Sequence, residues 1–382
     1  MKKLFFYTIT TFVLLTITSG SGYCQAVMTM TTQKENVKIG LGGSGKATIY
    51  WGNGRKNSIR LSKDVSYYPY VYLDTFPRTI TIIGKNITTL VCNYARLELL
   101  NVSKNVALER LYCAGNQLTD LDVSKNTILT DLGCSDNQLT RLNVSGNTKL
   151  KYLSCGENQL TNLDVNKNTE LGWLSCGKNQ LTNLDISENI VLWRLWCGEN
   201  LLSDLDLSKN TALEDLTCCN NQLTDLDVSK NTALKKLYCS SNQLTSLDVS
   251  KNTALEELSC LGNQLKNLNV SKNIALRQLR CEKNQLTNLD ISESTVLWLL
   301  YCGNNQLTNL DASKNIALID LRCEYNNFSE AALNALFNTL HSNDMSNITS
   351  YRRIAITGNP GVEKCDKTIA EKKGWKVIDK QN

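Results

Sequence analysis

The sequence predicts a β-rich solenoid, a stack of short repeated turns, with different structures at its two ends. Twelve cysteines recur every 21 residues without one insertion, and the apolar residues around them keep constant offsets. A fixed period of about 20–50 residues is typical of repeat architectures, in which each unit buries its apolar side chains on its neighbours. The repeating cysteines are Cys92, Cys113, Cys134, Cys155, Cys176, Cys197, Cys218, Cys239, Cys260, Cys281, Cys302 and Cys323.

Each unit consists of two nested half-repeats. Residues 255–275 read LEELSCLGNQLKNLNVSKNIA, and both halves place apolar residues at offsets 0, 3 and 5 and asparagine at offset 8. Alternate side chains of a strand point to one face, so each half predicts a short strand and the array predicts two short parallel β-sheets. One unit buries about six apolar side chains worth roughly 1.5–3 kcal/mol each, too little to offset its backbone entropy. Only stacked units are therefore expected to fold.

The asparagines that follow each first strand have a structural explanation. Asn116, Asn137, Asn158, Asn179 and Asn200 and their successors occupy the same offset in every unit. An inward asparagine at this point can bond turn backbone groups that would otherwise be buried without partners. We therefore expect these residues to support the fold and not to bind a ligand.

The repeat LxxLxCxxNxL resembles the signature of the leucine-rich-repeat proteins, with cysteine in place of the usual leucine. The continuation LTxLDVSxNTx resembles that of a short bacterial subclass with nested half-repeats. Eleven units cover residues 87–317 and a half unit continues to Phe328, so we assign residues 87–328 to the solenoid. Halves of similar length predict a weakly curved prism, about 55–60 Å long for twelve turns, without helices at residues 119–128. The resemblance leaves function open, since such folds bind many unrelated partners.

Residues 1–26 have the features of a cleaved secretory signal peptide. Lys2 and Lys3 precede an apolar stretch that is too short for a comfortable membrane span, and small residues follow it. The residue before Cys24 is tyrosine, where a lipoprotein signal has Gly, Ala or Ser, so we expect cleavage after Ala26, with lipid anchoring at Cys24 as the alternative. The sequence therefore predicts a secreted or cell-surface protein, and no later stretch predicts a membrane span.

Residues 27–86 lack the repeat and predict an N-terminal β domain, similar to a small β-sandwich, that covers the first turn of the solenoid. Short alternating runs are broken by Gly and Asn, as in strands and hairpins. The run Trp51-Gly52-Asn53-Gly54 resembles the WGDG turn of small β-sandwich modules of bacterial surface proteins. Asparagine replaces aspartate at position 53, which argues against a metal role there.

Residues 329–382 predict a C-terminal α/β cap. Ser329 is a predicted N-cap for a helix over residues 331–340, and residues 353–357 predict a strand. A second helix is predicted over residues 365–373 and a last strand over residues 375–378. This arrangement resembles the cap of related bacterial repeat proteins.

The cysteines do not indicate metal, cofactor or redox chemistry. Neighbouring turns lie about 4.8 Å apart, whereas a relaxed disulfide brings its Cβ atoms to about 3.8 Å. A zinc site needs ligands that converge on a point and not along a line. We expect the repeating cysteines to be buried as small apolar side chains, and Cys219 and Cys365 to be accessible. A catalytic pair of Cys365 with His341 has no visible third partner, so we expect no enzyme.

The second half-repeat carries a column of aspartates beside a column of lysines. We interpret them as a solvated face on which opposite charges compensate, since exposed pairs contribute about 0–1 kcal/mol each. Removal of residues 1–26 takes away two lysines and no acids and lowers the net charge from +5 to +3. A weak and evenly spread charge gives no indication of nucleic-acid binding.

The outward residues of the first strand vary from unit to unit, in contrast to the scaffold positions, and they include many residues that anchor interfaces. They are densest at Tyr152, Trp173, Arg194 and Trp196, on three successive turns that span roughly 10 Å, with small Ser and Gly neighbours. Large aromatic residues also suit any strand surface, which is the alternative explanation. The candidate ligand-binding residues are Tyr112, Tyr152, Trp173, Arg194, Trp196, Tyr238, Arg280, Tyr301 and Arg322.

These residues predict a non-catalytic, monomeric binding module that takes a protein or a glycan on the face of the cysteine-containing strands. Two alternatives remain at this point. One is a rigid structural or spacer subunit of a cell-surface assembly that associates through its β edges. The other is a hydrolase, which the repeats do not favour because they bring no acid, base and nucleophile together.

Overall fold

The computed structural model describes residues 26–342 and 352–380 and confirms a β solenoid with an antiparallel sheet at its N-terminal end and little helix. Of the predicted signal peptide, only Ala26 lies within these residues, and it begins the first strand. The first eight strands, β1 to β8, are Ala26–Thr32, Asn36–Gly43, Lys46–Tyr50, Lys56–Arg60, Ser66–Val71, Arg78–Gly84, Ile87–Val91 and Leu97–Asn101.

The N-terminal strands form the beginning of both sides of the solenoid. Five of them make an antiparallel sheet in the order β4-β3-β6-β1-β8. The other three, β5, β2 and β7, begin a second sheet, and β7 then pairs in parallel with the next strand of the repeats. Because β7 and β8 belong to the first unit, hydrogen-bonded pairing continues across the predicted boundary between residues 86 and 87.

Eleven three-residue strands, β9 to β19, continue this second sheet at intervals of 21 residues. Neighbouring strands are parallel and in register, so that Leu153 pairs with Leu174 and Leu174 with Leu195. The middle leucine of each strand points inward and is fully buried. The strands are Arg110–Tyr112, Asp131–Gly133, Tyr152–Ser154, Trp173–Ser175, Arg194–Trp196, Asp215–Thr217, Lys236–Tyr238, Glu257–Ser259, Gln278–Arg280, Leu299–Tyr301 and Asp320–Arg322.

The expected second parallel sheet is not formed, and this part of the prediction is wrong. The second half-repeats contain turns, and residues 119–128 and their equivalents in the described units contain no helix either. The Asp122 carboxylate accepts the Ser124 backbone N–H at 2.9 Å, and the Asn126 N–H bonds Val123 O at 2.9 Å. These local bonds use backbone donors that a strand ladder would need. In the first unit β8 is a strand because β1 lies beside it.

The aspartate column therefore caps turns, and it is more than a compensating charge. Asp122, Asp206, Asp227 and Asp248 each accept the N–H of the serine two residues later, at 2.8–2.9 Å. The Ser124 N–H holds the pKa of Asp122 below its usual value, while the charge of Lys125 contributes less. The side-chain carboxylate thus fixes the bend that ends each unit.

Two columns of buried asparagines satisfy the backbone, as predicted for the first column. The Asn200 amide group donates to Cys176 O and Cys197 O at 3.1 and 3.0 Å, and its oxygen accepts the Leu181 N–H at 3.0 Å. Each first-column residue thus connects one unit to the previous one. In the second column, Asn210 donates to Ile186 O and Asn189 O, both at 3.0 Å.

The cysteine ladder is buried, as predicted. All twelve repeating cysteines are fully buried free thiols. Burial raises the pKa of Cys92 to about 12 and that of Cys197 well above its usual value, so both thiols stay protonated. A protonated thiol is neither a nucleophile nor a metal ligand, and these side chains act as core residues.

The expectation of accessible thiols is wrong for Cys365 and only partly met for Cys219. Cys365 is buried and its thiol donates to Val362 O at 3.4 Å, while Cys219 is half-buried, and burial raises the pKa of both. Cys365 lies in a turn, since the second helix is shorter than predicted. Cys219 follows the strand where the backbone begins to bend, so strand alternation does not decide its exposure.

The C-terminal cap extends the parallel sheet. Helix α1 is Glu330–Thr339, and its predicted N-cap is confirmed because the Ser329 hydroxyl accepts the Ala332 N–H at 3.2 Å. Strand β20, Arg352–Ala355, pairs with β19, and strand β21, Trp375–Ile378, pairs with β20. Helix α2, Thr368–Glu371, is a single turn between them.

The second asparagine column is interrupted at Ser294, which is fully buried but too short to donate to the preceding turn. We expect Ser294→Asn to stabilise the protein by about 1 kcal/mol, because it restores amide bonds to the carbonyls of Val270 and Asn273. Urea unfolding of the chain without residues 1–26 measures this. Asn273→Ser should destabilise it, and a Ser294→Asn protein less stable than the wild type would contradict the role assigned to the column.

Core packing of the cysteine ladder predicts different effects for two substitutions of Cys197. Cys197→Val should be nearly neutral as an apolar exchange of similar volume, whereas Cys197→Ser should cost about 1–3 kcal/mol by burying a hydroxyl without a partner. Thermal unfolding compares them. A thiol reagent should label Cys219 slowly and leave the ladder and Cys365 intact until the protein unfolds; fast labelling of the folded ladder would contradict burial.

Candidate functional site

The parallel sheet presents two outward side chains per strand. In β11 the side chains of Tyr152 and Ser154 point outward, while Leu153 and Cys155 are buried. Because the strands are in register, equivalent residues of successive units form two columns across the sheet. All nine candidate residues lie in these columns, and each is half-buried or exposed. They do not form one site but separate into a central cluster, a C-terminal cluster and Tyr112.

The central cluster consists of aromatic rings around one guanidinium group. The Tyr152 and Trp173 rings meet edge to face with centroids 4.2 Å apart, and the Trp173 and Trp196 rings do the same at 5.8 Å. The Arg194 guanidinium lies 5.5 Å from the Trp173 ring and 5.4 Å from the Trp196 ring. An ion pair with Asp215 at 3.1 Å holds it there. The rings are thus fixed before any ligand arrives.

Trp193 belongs to the same cluster, although it is not one of the nine residues that the sequence predicts. The Arg194 guanidinium lies 4.8 Å from the Trp193 ring, closer than to either of the other indoles. A Cβ atom at Gly172 of the preceding unit would lie 3.1 Å from Trp193 Cδ1 and Nε1. The glycine therefore makes room for the indole. Strand alternation turns outward only the residues one and three positions before each cysteine, and Trp193 lies four positions before Cys197.

A shallow groove runs beside the exposed edge of Trp196. Its volume is about 240 Å³, below the roughly 300–1,000 Å³ of small-molecule pockets, so it suits contact with a surface. Gly156, Gly177 and Gly198 contribute to its lining, where a Cβ atom on each would lie 2.9–3.0 Å from the next unit's carbonyl oxygen. The predicted small neighbours of the rings thus do line a groove.

The C-terminal cluster is more polar. The Arg280 and Arg322 guanidinium groups lie 5.3 and 4.3 Å from the Tyr301 ring, one from each neighbouring strand. The Tyr301 hydroxyl donates to Asp320 Oδ2 at 2.6 Å, and Arg353 of the cap binds the same oxygen at 2.5 Å. Asp320 also pairs with Arg322 at 3.7 Å, so the charges of Arg322 and Arg353 are already compensated within the protein, whereas Arg280 is exposed.

Tyr238 and Tyr112 are also held by carboxylates. The Tyr238 hydroxyl donates to Glu257, which pairs with Lys236 at 2.8 Å, beside a depression of about 190 Å³. The Tyr112 hydroxyl donates to Asp131 Oδ1 at 3.2 Å, two strands away from Tyr152. Burial raises the pKa of Tyr112 to about 12, so its phenol is neutral at ordinary pH. Among the described residues, no ring pair joins either tyrosine to the central cluster.

The column of small residues that lines the groove continues towards the C-terminal end of the sheet, and there two glutamates interrupt it. Glu282 and Glu324 occupy the equivalents of Gly198, on either side of Gly303, and a Cβ atom at Gly303 would lie 3.1 Å from Glu324 Cδ. One carboxylate oxygen of each is buried without a partner, and burial raises the pKa of both. Across residues 26–342 and 352–380, no group of three His, Cys, Asp or Glu side chains could hold a metal ion.

The raised pKa of Glu324 predicts a pH-dependent effect on stability. The folded state favours the neutral carboxylic acid of Glu324. Below the ordinary glutamate pKa of about 4.3 the group is protonated in both states, so burial has no ionisation cost. As the pH rises through the higher folded pKa, the ionised carboxylate destabilises the folded state. Glu324→Gln should therefore raise the unfolding midpoint at pH 7 and have almost no effect at pH 4. Thermal melts across this range test it, with exposed Glu188→Gln as the control. A gain that is the same at both pH values would contradict it.

No protein-family model and no curated protein matches the chain, but many solved structures do. The functional domain of InlJ from Listeria monocytogenes, described as including a cysteine ladder, is 30% identical over 71% of this chain and 74% of its own, with a TM-score of 0.45. A leucine-rich-repeat protein of Leptospira interrogans is 22% identical over 72% and 73%, with a TM-score of 0.63. The internalin InlF of Listeria monocytogenes is 23% identical over 72% and 74%, with a TM-score of 0.57.

The superpositions on the Leptospira protein and InlF show the fold, and the 30% sequence identity with InlJ over 74% of its length shows the family. The chain also has the features of such a repeat: 21-residue units, a parallel sheet, one buried column of cysteines and two buried columns of asparagines. The chain therefore belongs to the leucine-rich-repeat proteins, similar to the bacterial internalins, with a buried cysteine ladder.

Proposed function

We propose that the chain is a non-catalytic binding module whose central cluster takes a protein or glycan ligand outside the cytoplasm. This proposal rests on the position of the Arg194 guanidinium group among three indole rings on the outward face of the sheet. Such rings lose little conformational freedom on binding and present a large area of amphipathic contact, which is why Trp, Tyr and Arg anchor interfaces.

The central cluster suits this role better than the other candidate residues. Trp196 is 38% exposed and stands beside the groove, while Trp173 supports it from the preceding strand. In the C-terminal cluster Asp320 binds Tyr301, Arg322 and Arg353, which leaves Arg280 as the one cation of the cluster without an ion pair among the described residues. We therefore propose Tyr152, Trp173, Arg194 and Trp196 as the binding centre, with Tyr112, Tyr238, Arg280, Tyr301 and Arg322 outside it.

The state of the described nucleophiles favours binding over hydrolysis. Burial keeps the ladder thiols protonated. The Cys365 thiol donates to Val362 O, and a ring nitrogen of His341 lies 2.7 Å from Leu318 O, so both groups are engaged with backbone oxygens. A covalent mechanism needs an activated nucleophile beside a base, and neither condition is met at these residues.

The proposed location rests on residues 1–26, whose pattern is that of a secretory signal. Within residues 26–342 and 352–380, no helix has the length and apolar character needed to cross a bilayer. A module exposed outside the cytoplasm can meet surface proteins and glycans, which are the two ligand classes that aromatic clusters bind well. Retention through Cys24 remains the alternative to release.

The alternative function, a spacer that assembles through its β edges, is less well supported. The strand at the N-terminal end of the long sheet, β5, pairs with β2 only. It contains Pro69, which has no backbone N–H to donate and interrupts the edge at which another chain would have to pair. We propose a monomer for the same reason.

The central cluster predicts the outcome of a double substitution. Trp173→Ala with Trp196→Ala should lower ligand capture at least a hundredfold, because two anchors typically contribute about 2 kcal/mol or more each. Thermal stability should fall only slightly, since neither ring lies in the solenoid core. A glycan array and a panel of purified surface proteins, probed with the chain lacking residues 1–26, identify the ligand and measure the loss.

A matched control changes the opposite side of the solenoid. Lys209→Glu with Lys230→Glu alters two exposed residues in turns of the second half-repeats and should leave capture unchanged. If the double tryptophan variant captures the ligand as well as the wild type, the central cluster is not the site, and the N-terminal β domain becomes the place to search.

A further inference from the structure

One unit of the solenoid differs from its neighbours at several exposed positions. At the position after the second-column asparagine it has Ile190, where the adjacent units have Thr169 and Thr211. In place of the glutamine found in the adjacent units it has Leu201. Each change replaces a polar side chain with a large apolar one, although no core position requires it.

These changes expose apolar side chains around a single turn. The exposed fractions are 58% for Ile190, 47% for Val191, 41% for Trp193, 38% for Trp196 and 45% for Leu201. We call these five residues the apolar belt. Elsewhere in the solenoid, the first unit exposes Tyr94, Leu99 and Val106, and later units expose one such residue each, at Ile274, Val296, Ile316 and Tyr325.

The belt crosses the solenoid from one flank to the other. Ile190 and Val191 lie in the turn before β13, Trp196 lies within it, and Leu201 follows the bend at Glu199, whose φ is 56°. The chain changes direction at both turns, so the belt faces two flanks as well as the sheet. Its direction is that of the strands, perpendicular to the groove beside Trp196.

We propose that the belt binds an extended apolar segment of a partner protein, laid across the solenoid along the strand direction. This deepens the proposed function and rests on it, because Trp193 and Trp196 belong to both surfaces. The belt exposes apolar area on the order of 400 Å², as large as the functional patches of many monomers and about half of one side of a stable protein interface. A sugar or other small ligand covers far less.

The shape of the belt excludes a second copy of this chain as the occupant. A stack of hydrogen-bonded units is rigid, so another copy can contact the sheet face or one flank, but not the face and both flanks together. Only a segment that bends around the turn covers all five residues. Such a segment pairs its apolar side chains with the belt without changing the solenoid.

The charges at the two ends of the belt specify the partner further. Glu188 precedes Ile190 and Glu199 precedes Leu201; both are exposed and belong to no ion pair among the described residues, although Lys178 interacts with Glu199 over a longer distance. Arg194, which lies in the sequence between the belt residues Trp193 and Trp196, is paired with Asp215. The complementary segment therefore has an apolar centre with lysine or arginine towards each end.

A random 12-residue peptide display library, selected on the immobilised chain without residues 1–26, tests the proposal. Selected peptides should be rich in apolar residues with Lys or Arg at their ends. They should bind the triple variant Ile190→Thr, Val191→Ala, Leu201→Gln at least tenfold more weakly. This variant should fold, because neighbouring units carry the same residues at the same positions. Peptides that bind it as well as the wild type, or no selected peptides at all, would overturn the proposal.

A matched control and a second measurement complete the test. Ile274→Thr with Val296→Ala removes exposed apolar residues at equivalent positions of other units and should leave peptide binding unchanged. Sedimentation of the wild type should give a monomer; a dimer that the triple variant loses would assign the belt to a second copy and overturn the proposal. The triple variant keeps Trp173 and Trp196, so ligand capture by the central cluster can be measured separately from peptide binding to the belt. Failure of one proposal can therefore be distinguished from failure of the other.

Discussion

The structure depends on the bonds between the first-column asparagines and the carbonyls of the cysteines. Each amide donates to its own unit and to the unit before, and its oxygen accepts an N–H of the unit before. These groups lie inside the turn, where water cannot replace a missing partner. A unit one residue longer or shorter would lose all of these bonds together. The 21-residue period and the parallel register follow from this requirement, and so does the straight column of cysteines.

The parts of the fold that repeat could be predicted from the sequence, because a requirement that recurs in every unit leaves the same residue at the same offset. The buried thiols and the asparagines are of this kind. The second sheet was wrongly predicted because LxxLxV has the same alternation in a strand and in a turn. The aspartate two residues before each serine was the signal that separates them. The burial of Cys365 depends on contacts within a cap that does not repeat.

The candidate site could be predicted only in outline. The sequence placed the nine residues on one face but not into separate clusters, since that depends on which carboxylate reaches which base, as Asp215 does for Arg194. Trp193 is recognised only together with Gly172, because the glycine provides its space in the preceding unit. In the sequence they can be recognised because two adjacent units have glycine and then tryptophan at the same position. The belt has a similar signal, with several departures confined to one unit.

The end-to-end register also has a consequence for how such a chain changes over generations. Each unit contacts the unit before and the unit after, while the terminal structures cover the two open ends. In-frame duplication or loss of one unit between the ends therefore recreates the same junctions and leaves every remaining bond intact. Length can drift by unequal recombination without loss of folding. A unit with a specialised surface, such as the one around Trp196, keeps that surface in such an event, while its distance from the N-terminal antiparallel sheet changes and is inherited.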